Sequence, residues 1–143
     1  MLQTNLLQPH DLYWLDLQTP VGWVEVSMMR QLADPNLSIS FFENGLYCGS
    51  AGVYKLWHGV YEAWLMLLVM PKDLRGFLKT LRWGIAKALE LTQAHRIQAY
   101  CLASFTKGIK LAKRLGFTQE GVLRQGAPDR SDMILFAQVP SWV

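Results

Sequence analysis

The sequence predicts an α/β or α+β layer fold built on a mixed sheet. Three observations carry that prediction. Short apolar runs bounded by turn residues alternate with segments of helical periodicity. Asn44-Gly45 stands between two strand-like runs, the strongest short-range hairpin signal. One run, Ala63 to Met70, is apolar throughout, as in a strand covered on both faces, and the clearest helix follows it after Pro71. The chain has 143 residues, the usual size of one domain, with no repeat, no low-complexity tract and no Pro/Gly/Ser linker. Residues 1–143 are therefore expected to form a single domain.

The elements follow in order. Leu2 to Leu7 reads as a first short strand. Pro9-His10-Asp11 opens a helix carrying Leu12, Leu15 and Leu17. Val21 to Ala33 reads as a second helix, ended by Asp34-Pro35-Asn36. Ser38 to Glu43, Leu46 to Leu56 and Tyr61 to Met70 read as strands. In the next helix Leu74, Phe77, Leu78, Leu81, Ile85, Ala88 and Leu89 recur at helical spacing, with Lys79, Arg82, Lys87 and Glu90 elsewhere on the wheel. Arg96 to Leu102 is a strand, and Thr106 to Leu115 a basic helix closed by Gly116. Strands over Phe117–Arg124 and Asp132–Val139 finish the chain.

Composition narrows the function classes. With 51% hydrophobic and 17% charged residues, the chain is neither disordered nor a solvating tail. Its longest uncharged apolar run is eight residues, against the roughly 20 of a membrane-spanning helix. The opening MLQTNLLQPHD lacks a basic region followed by an apolar one, so no secretory signal is expected. Two cysteines make no disulfide framework, and three scattered histidines argue against a metal site, so a reduced, cytoplasmic setting is expected. Net charge is +3, but residues 72–114 hold ten basic residues against Asp73 and Glu90, a net of +8, while residues 1–71 stand at −4. That middle third suits an anionic partner: a phosphorylated cofactor, nucleic acid or an acidic protein face.

Four segments resemble the GNAT superfamily of acyl-coenzyme A-dependent N-acyltransferases, in matching order along nearly the whole chain. Leu7-Gln8-Pro9-His10-Asp11-Leu12 is similar to the family's strand-to-first-helix opening, and Asn44-Gly45 sits where the family's second and third strands turn. Leu67 to Gly76 resembles the cofactor strand running into the pyrophosphate loop. Leu115-Gly116-Phe117, Glu120-Gly121 and Leu123-Arg124 resemble a closing motif common in branches that acetylate protein N-termini and related amines. The resemblance implies a mixed, mostly antiparallel sheet of six to seven strands with about four helices. It implies acetyl-coenzyme A as donor and a primary amine as acceptor, on a protein N-terminus, a lysine or a small molecule.

Residue by residue, the resemblance places the pyrophosphate on Arg75, Gly76 and Lys79, at a helix start whose free N–H groups and dipole suit phosphate. Leu78 takes the position of the loop's second glycine, where a side chain crowds the approach. Asp73 replaces a glutamine or arginine, and reads either as a charge set against phosphate or as the helix N-cap. Backbone groups near Leu68 and Met70 would hold the pantetheine arm, and Lys107, Lys110, Lys113 and Arg114 would meet the adenosine phosphate. Glu62, thirteen residues before Arg75, is the implied general base, sharing a strand face with Trp64. Trp57 and His58 are candidates for acceptor contact, as is Trp14. The family's general-acid tyrosine aligns with Ala112, and the asparagine that opens its helix with Phe105 or Ser104. Tyr100, Cys101 and Ser104 remain as proton donors, although Cys101 on an apolar strand also reads as an inert thiol.

A second implication stands beside the enzyme. Tyr61 to Met66 and Leu74 to Lys79 are similar to phage GNAT-like internal virion proteins, which keep the fold with a degenerate loop. In that reading the chain is a structural or interaction protein, and residues 72–114 face a virion partner or nucleic acid.

Overall fold

The computed structural model describes residues 2–6 and 34–140. The helices expected over 9–17 and 21–33, with Trp14 and Trp142, lie outside the described residues. The described chain runs β1 (Leu2–Leu6), a short 3-10 turn (Pro35–Leu37), β2 (Ser38–Glu43), β3 (Leu46–Trp57), β4 (Val60–Leu67), α1 (Leu74–Thr92), β5 (Arg96–Leu102), α2 (Thr106–Arg114), β6 (Thr118–Leu123) and β7 (Met133–Gln138). The seven strands form one mixed sheet in the order β1-β2-β3-β4-β5-β7-β6. β4 and β5 pair in parallel, and the β1–β2, β2–β3, β5–β7 and β6–β7 pairs are antiparallel. Two compact units divide these residues, one drawn from the chain up to Tyr54 with Ala63–Leu91, the other from Lys55–Glu62 with the chain from Thr92 onward.

In the first unit the β2–β3 turn forms where Asn44-Gly45 predicts it. Both residues have positive φ, 53° and 80°, as a two-residue hairpin turn requires. The β2–β3 register shifts after Phe41, which faces Gly49, while Phe42 faces Tyr47; Cys48 is left as the extra residue of a bulge. The Cys48 carbonyl accepts two successive N–H groups, from Leu68 at 2.7 Å and Val69 at 3.2 Å. One carbonyl bridging two donors turns the chain. β4 therefore ends at Leu67 and not at Met70 as predicted, and Val69 and Met70 emerge 53% and 45% exposed. Core packing centres on Phe41, fully buried, whose ring meets that of Phe77 edge-on at 5.2 Å. Of the predicted apolar stripe, α1 buries Phe77, Leu81 and Ala88, whereas Leu74 lies on the first turn and is exposed.

In the second unit β5 lies between β4 and β7, and β6 is the sheet's edge. Ile97 and Phe136 are fully buried and anchor this half. α2 ends as its sequence predicts: Gly116 has φ 94°, its N–H donates to the Lys113 carbonyl, and Phe117 N–H donates to that of Ala112. This is a Schellman closure, and Gln138 Nε2 satisfies the Leu115 carbonyl at 2.6 Å.

Candidate active site

The start of α1 is built from a loop that carries its own anions. Asp73 is the helix N-cap: its Oδ1 accepts the Gly76 N–H at 2.9 Å and its carbonyl accepts the Phe77 N–H at 3.0 Å. Of the two readings of Asp73, the cap is the one the structure adopts. Gly76 lets the Asp73 carboxylate sit close against the first turn: a Cβ there would lie 2.8 Å from Asp73 Cγ, and the carboxylate would have to shift. A second carboxylate arrives from the end of β2. Glu43 Oε1 accepts the Lys72 N–H at 2.9 Å and Oε2 accepts the Asp73 N–H at 3.0 Å. These two bonds, with Asp73 the larger contributor, hold the Glu43 carboxyl below the usual carboxylate range.

Arg75 and Lys79 stand exposed one helical turn apart, so they share a face at this end of α1. Leu78 is half-buried on the second turn, past the first-turn donors. The Leu68 N–H is committed to Cys48, while Met70 is exposed in the loop. The backbone N–H groups of residues 72–74, 76 and 77 all have acceptors within the chain, leaving that of Arg75. With both carboxylates in place, this set does not fit a diphosphate on its backbone donors.

A second polar grouping lies in the other unit. Glu62 is in direct register with Gln98, the last of three β4–β5 pairs that begin at Val60 and Arg96. Partners in a parallel ladder share a face, so Glu62 stands beside Gln98. Along β5, Arg96 Nε donates to Gln98 Oε1 at 3.0 Å, and Gln98 Nε2 donates to the Tyr100 hydroxyl at 3.4 Å. Arg96 also grips Glu120 through its two terminal guanidinium nitrogens, Nη2 at 2.7 Å and Nη1 at 3.1 Å, and this holds the Glu120 carboxyl below its usual range. The result is a fixed row, Glu120–Arg96–Gln98–Tyr100, with Glu62 alongside.

Trp57 and His58 are exposed at the β3–β4 turn, where a Cβ on Gly59 would run into the His95 ring. His58 lies in the turn before β4, four residues ahead of Glu62. The Trp64 ring is buried, with its Nε1–H lacking an acceptor. Burial pushes the Cys101 thiol up from its ordinary value. Phe105 is the N-cap of α2 and supplies no side-chain cap. Lys107, Lys110, Lys113 and Arg114 are all exposed on that helix. Among the described residues no three His, Cys, Asp or Glu side chains gather as a metal site, and no helix is long and apolar enough to cross a membrane. Sequence reasoning missed Glu43 and Gln98. Neither belongs to a local motif, since Glu43 meets donors 29 and 30 residues away.

Three carboxylates now share one property. Glu43, Glu120 and Asp129 are all held below their ordinary values, Asp129 by hydrogen bonds from Ser131. A lowered folded-state value adds stability above the unfolded-state pKa, and that stability is lost as pH falls through the folded-state value. Thermal melts between about pH 2.5 and 6 should show the midpoint falling below about pH 4. Glu43→Gln should flatten part of that fall; an unchanged slope in the variant would refute the assignment for Glu43.

No protein-family model and no curated protein matches the sequence. Solved structures do. A ribosomal-protein-alanine N-acetyltransferase from Brucella melitensis is 16% identical over 96% of this chain and 99% of its own, with a TM-score of 0.76. The ribosomal-protein-S18-alanine N-acetyltransferase from Escherichia coli is 16% identical over 100% and 96%, also at 0.76. A Salmonella typhimurium structure described as an acetyltransferase with its cofactor acetyl-CoA is 16% identical over 99% and 95%, at 0.72. The chain thus has the fold of the GNAT acetyltransferases, as its motifs imply. At this identity the likeness reaches the fold and no further.

Proposed function

We propose that this protein is an N-acetyltransferase that uses acetyl-coenzyme A to acetylate a primary amine on a protein or a small molecule. The observation that carries the reading is the row in which Glu62 stands in register with Gln98, itself bonded to Tyr100, on a fold shared with amine acetyltransferases. The bound coenzyme would supply an acetyl group activated as a thioester. The Glu62 carboxylate takes the proton that an ammonium acceptor must lose before its nitrogen can attack. Gln98 fixes the Tyr100 hydroxyl through its amide, and Tyr100 Oη–H is the row's proton donor. Arg96, pinned by Glu120, holds Gln98 by its carbonyl and so sets which way the amide points.

The test is transfer, read by mass spectrometry. Purified protein and acetyl-coenzyme A are offered peptides with free N-termini, a lysine peptide with a blocked N-terminus, and a small polyamine. One class is expected to gain an acetyl group faster than the uncatalysed control; no gain in any class at millimolar coenzyme would refute the reading. The occupied donors at α1 favour a second reading, a GNAT-fold binding module that presents its basic residues 72–114 to a polyanion. That reading expects DNA binding that weakens steeply with salt and needs no coenzyme.

A further inference from the structure

The fold implies a coenzyme diphosphate, while the α1 start is already furnished with acid. Glu43 is placed there by backbone on both sides: it pairs with Leu2 of β1 and Leu46 of β3 at the mouth of the Asn44-Gly45 turn. From that position each carboxylate oxygen takes one of two successive N–H groups. Successive backbone N–H groups at a helix start form an anion nest, and here its occupant is built in. The bonds are solvent-exposed, so the carboxylate can swing off without unpacking the core. Lys72, Arg75 and Lys79 are exposed along this loop and the first turns of α1.

We propose that Glu43 is a built-in competitor of the coenzyme diphosphate, an affinity-setting residue that must release the Lys72 and Asp73 N–H groups before phosphate oxygens can take them. The inference rests on the coenzyme reading above. It makes Glu43 a carboxylate that sets binding and takes no part in proton transfer. Asp73 does not share this role, because its carboxylate closes the Gly76 N–H from within the same turn and stays with the helix as its cap.

Titration calorimetry with acetyl-coenzyme A and, separately, with inorganic pyrophosphate tests this, alongside amide spectra of the labelled protein. Glu43→Gln keeps the side chain's shape and one acceptor while removing the charge. It should tighten both probes about tenfold or more, the order of magnitude of one close like-charge repulsion at a protein surface. The Lys72 and Asp73 amide resonances should move when either probe is added. Glu43→Asp keeps the charge but shortens the reach, and should also tighten binding. Glu90→Gln, at the far end of α1, should not.

Equal affinity in wild type and both Glu43 variants, with the two amides moving, would overturn the competitor and leave the coenzyme reading intact. The same gain from Glu90→Gln would also overturn it, by reducing the effect to net charge. Binding in which the Lys72 and Asp73 amides stay still would place the diphosphate elsewhere and overturn the inference alone. No binding of acetyl-coenzyme A by any variant would overturn both.

Discussion

Gly49→Ala is expected to be the most destabilising small substitution in the first unit, at about 3 kcal/mol, lowering the melting midpoint by about 10 °C. A Cβ at this position would strike the Met66 carbonyl and lie 2.9 Å from Leu67 Cα, both backbone atoms of β4. Backbone cannot rotate out of the way as a side-chain tip can. The added methyl must push β4 off β3, at the place where Cys48 bridges the Leu68 and Val69 N–H groups. Gly121→Ala is the matched comparison, since nothing lies within 4 Å of its added Cβ. It should be neutral or gain a few tenths of a kcal/mol, because glycine weakens a strand interior. Urea unfolding of the two variants beside wild type decides the matter. Equal midpoints would mean that β4 yields freely at Gly49 and that the bulge does not fix its path.

That bulge also marks the limit of what the sequence made legible. Local signals were read well wherever one residue type satisfies one backbone demand: Asn44-Gly45 for a tight hairpin, Gly116 for a helix end. The extents of β5 and the start of α1 follow from apolar periodicity and emerge as expected. The end of β4 is not legible in the sequence, because Leu68, Val69 and Met70 continue an apolar run while the turn is made by a carbonyl twenty residues earlier. Apolar pattern reports burial preference, not backbone pairing. The same distinction separates the two halves of the candidate site. Arg75, Gly76 and Lys79 stand out in the sequence because they lie together at a helix start. Glu43 does not, because only the pairing of β2 between β1 and β3 carries it to residues 72 and 73. Gln98 was hidden likewise, since register across a parallel crossover is set by the fold and not by spacing.

Glu62→Gln carries the largest effect expected on activity, a fall in kcat of about 10²- to 10⁴-fold. Glutamine preserves the side chain's volume and one acceptor oxygen beside Gln98, so the Glu120–Arg96–Gln98–Tyr100 row should keep its geometry. What is lost is a base able to take the ammonium proton, leaving that step to water. The acceptor's KM should move little, because the interaction removed is one realised during proton transfer and not in ground-state binding. Tyr100→Phe tests the other end of the row. It deletes the hydroxyl bonded to Gln98 and should lower kcat by a smaller factor, about tenfold, since water can protonate a departing thiolate more readily than it can replace a placed base. Gln98→Leu then separates chemistry from position. It leaves Glu62 and Tyr100 in the chain but removes the amide that orients the hydroxyl, so its loss should match that of Tyr100→Phe and add nothing in the double variant. A Glu62→Gln protein that keeps kcat within twofold of wild type would remove Glu62 as the base. The proton would then have to leave by a group outside this row, and the register with Gln98 would be architecture alone.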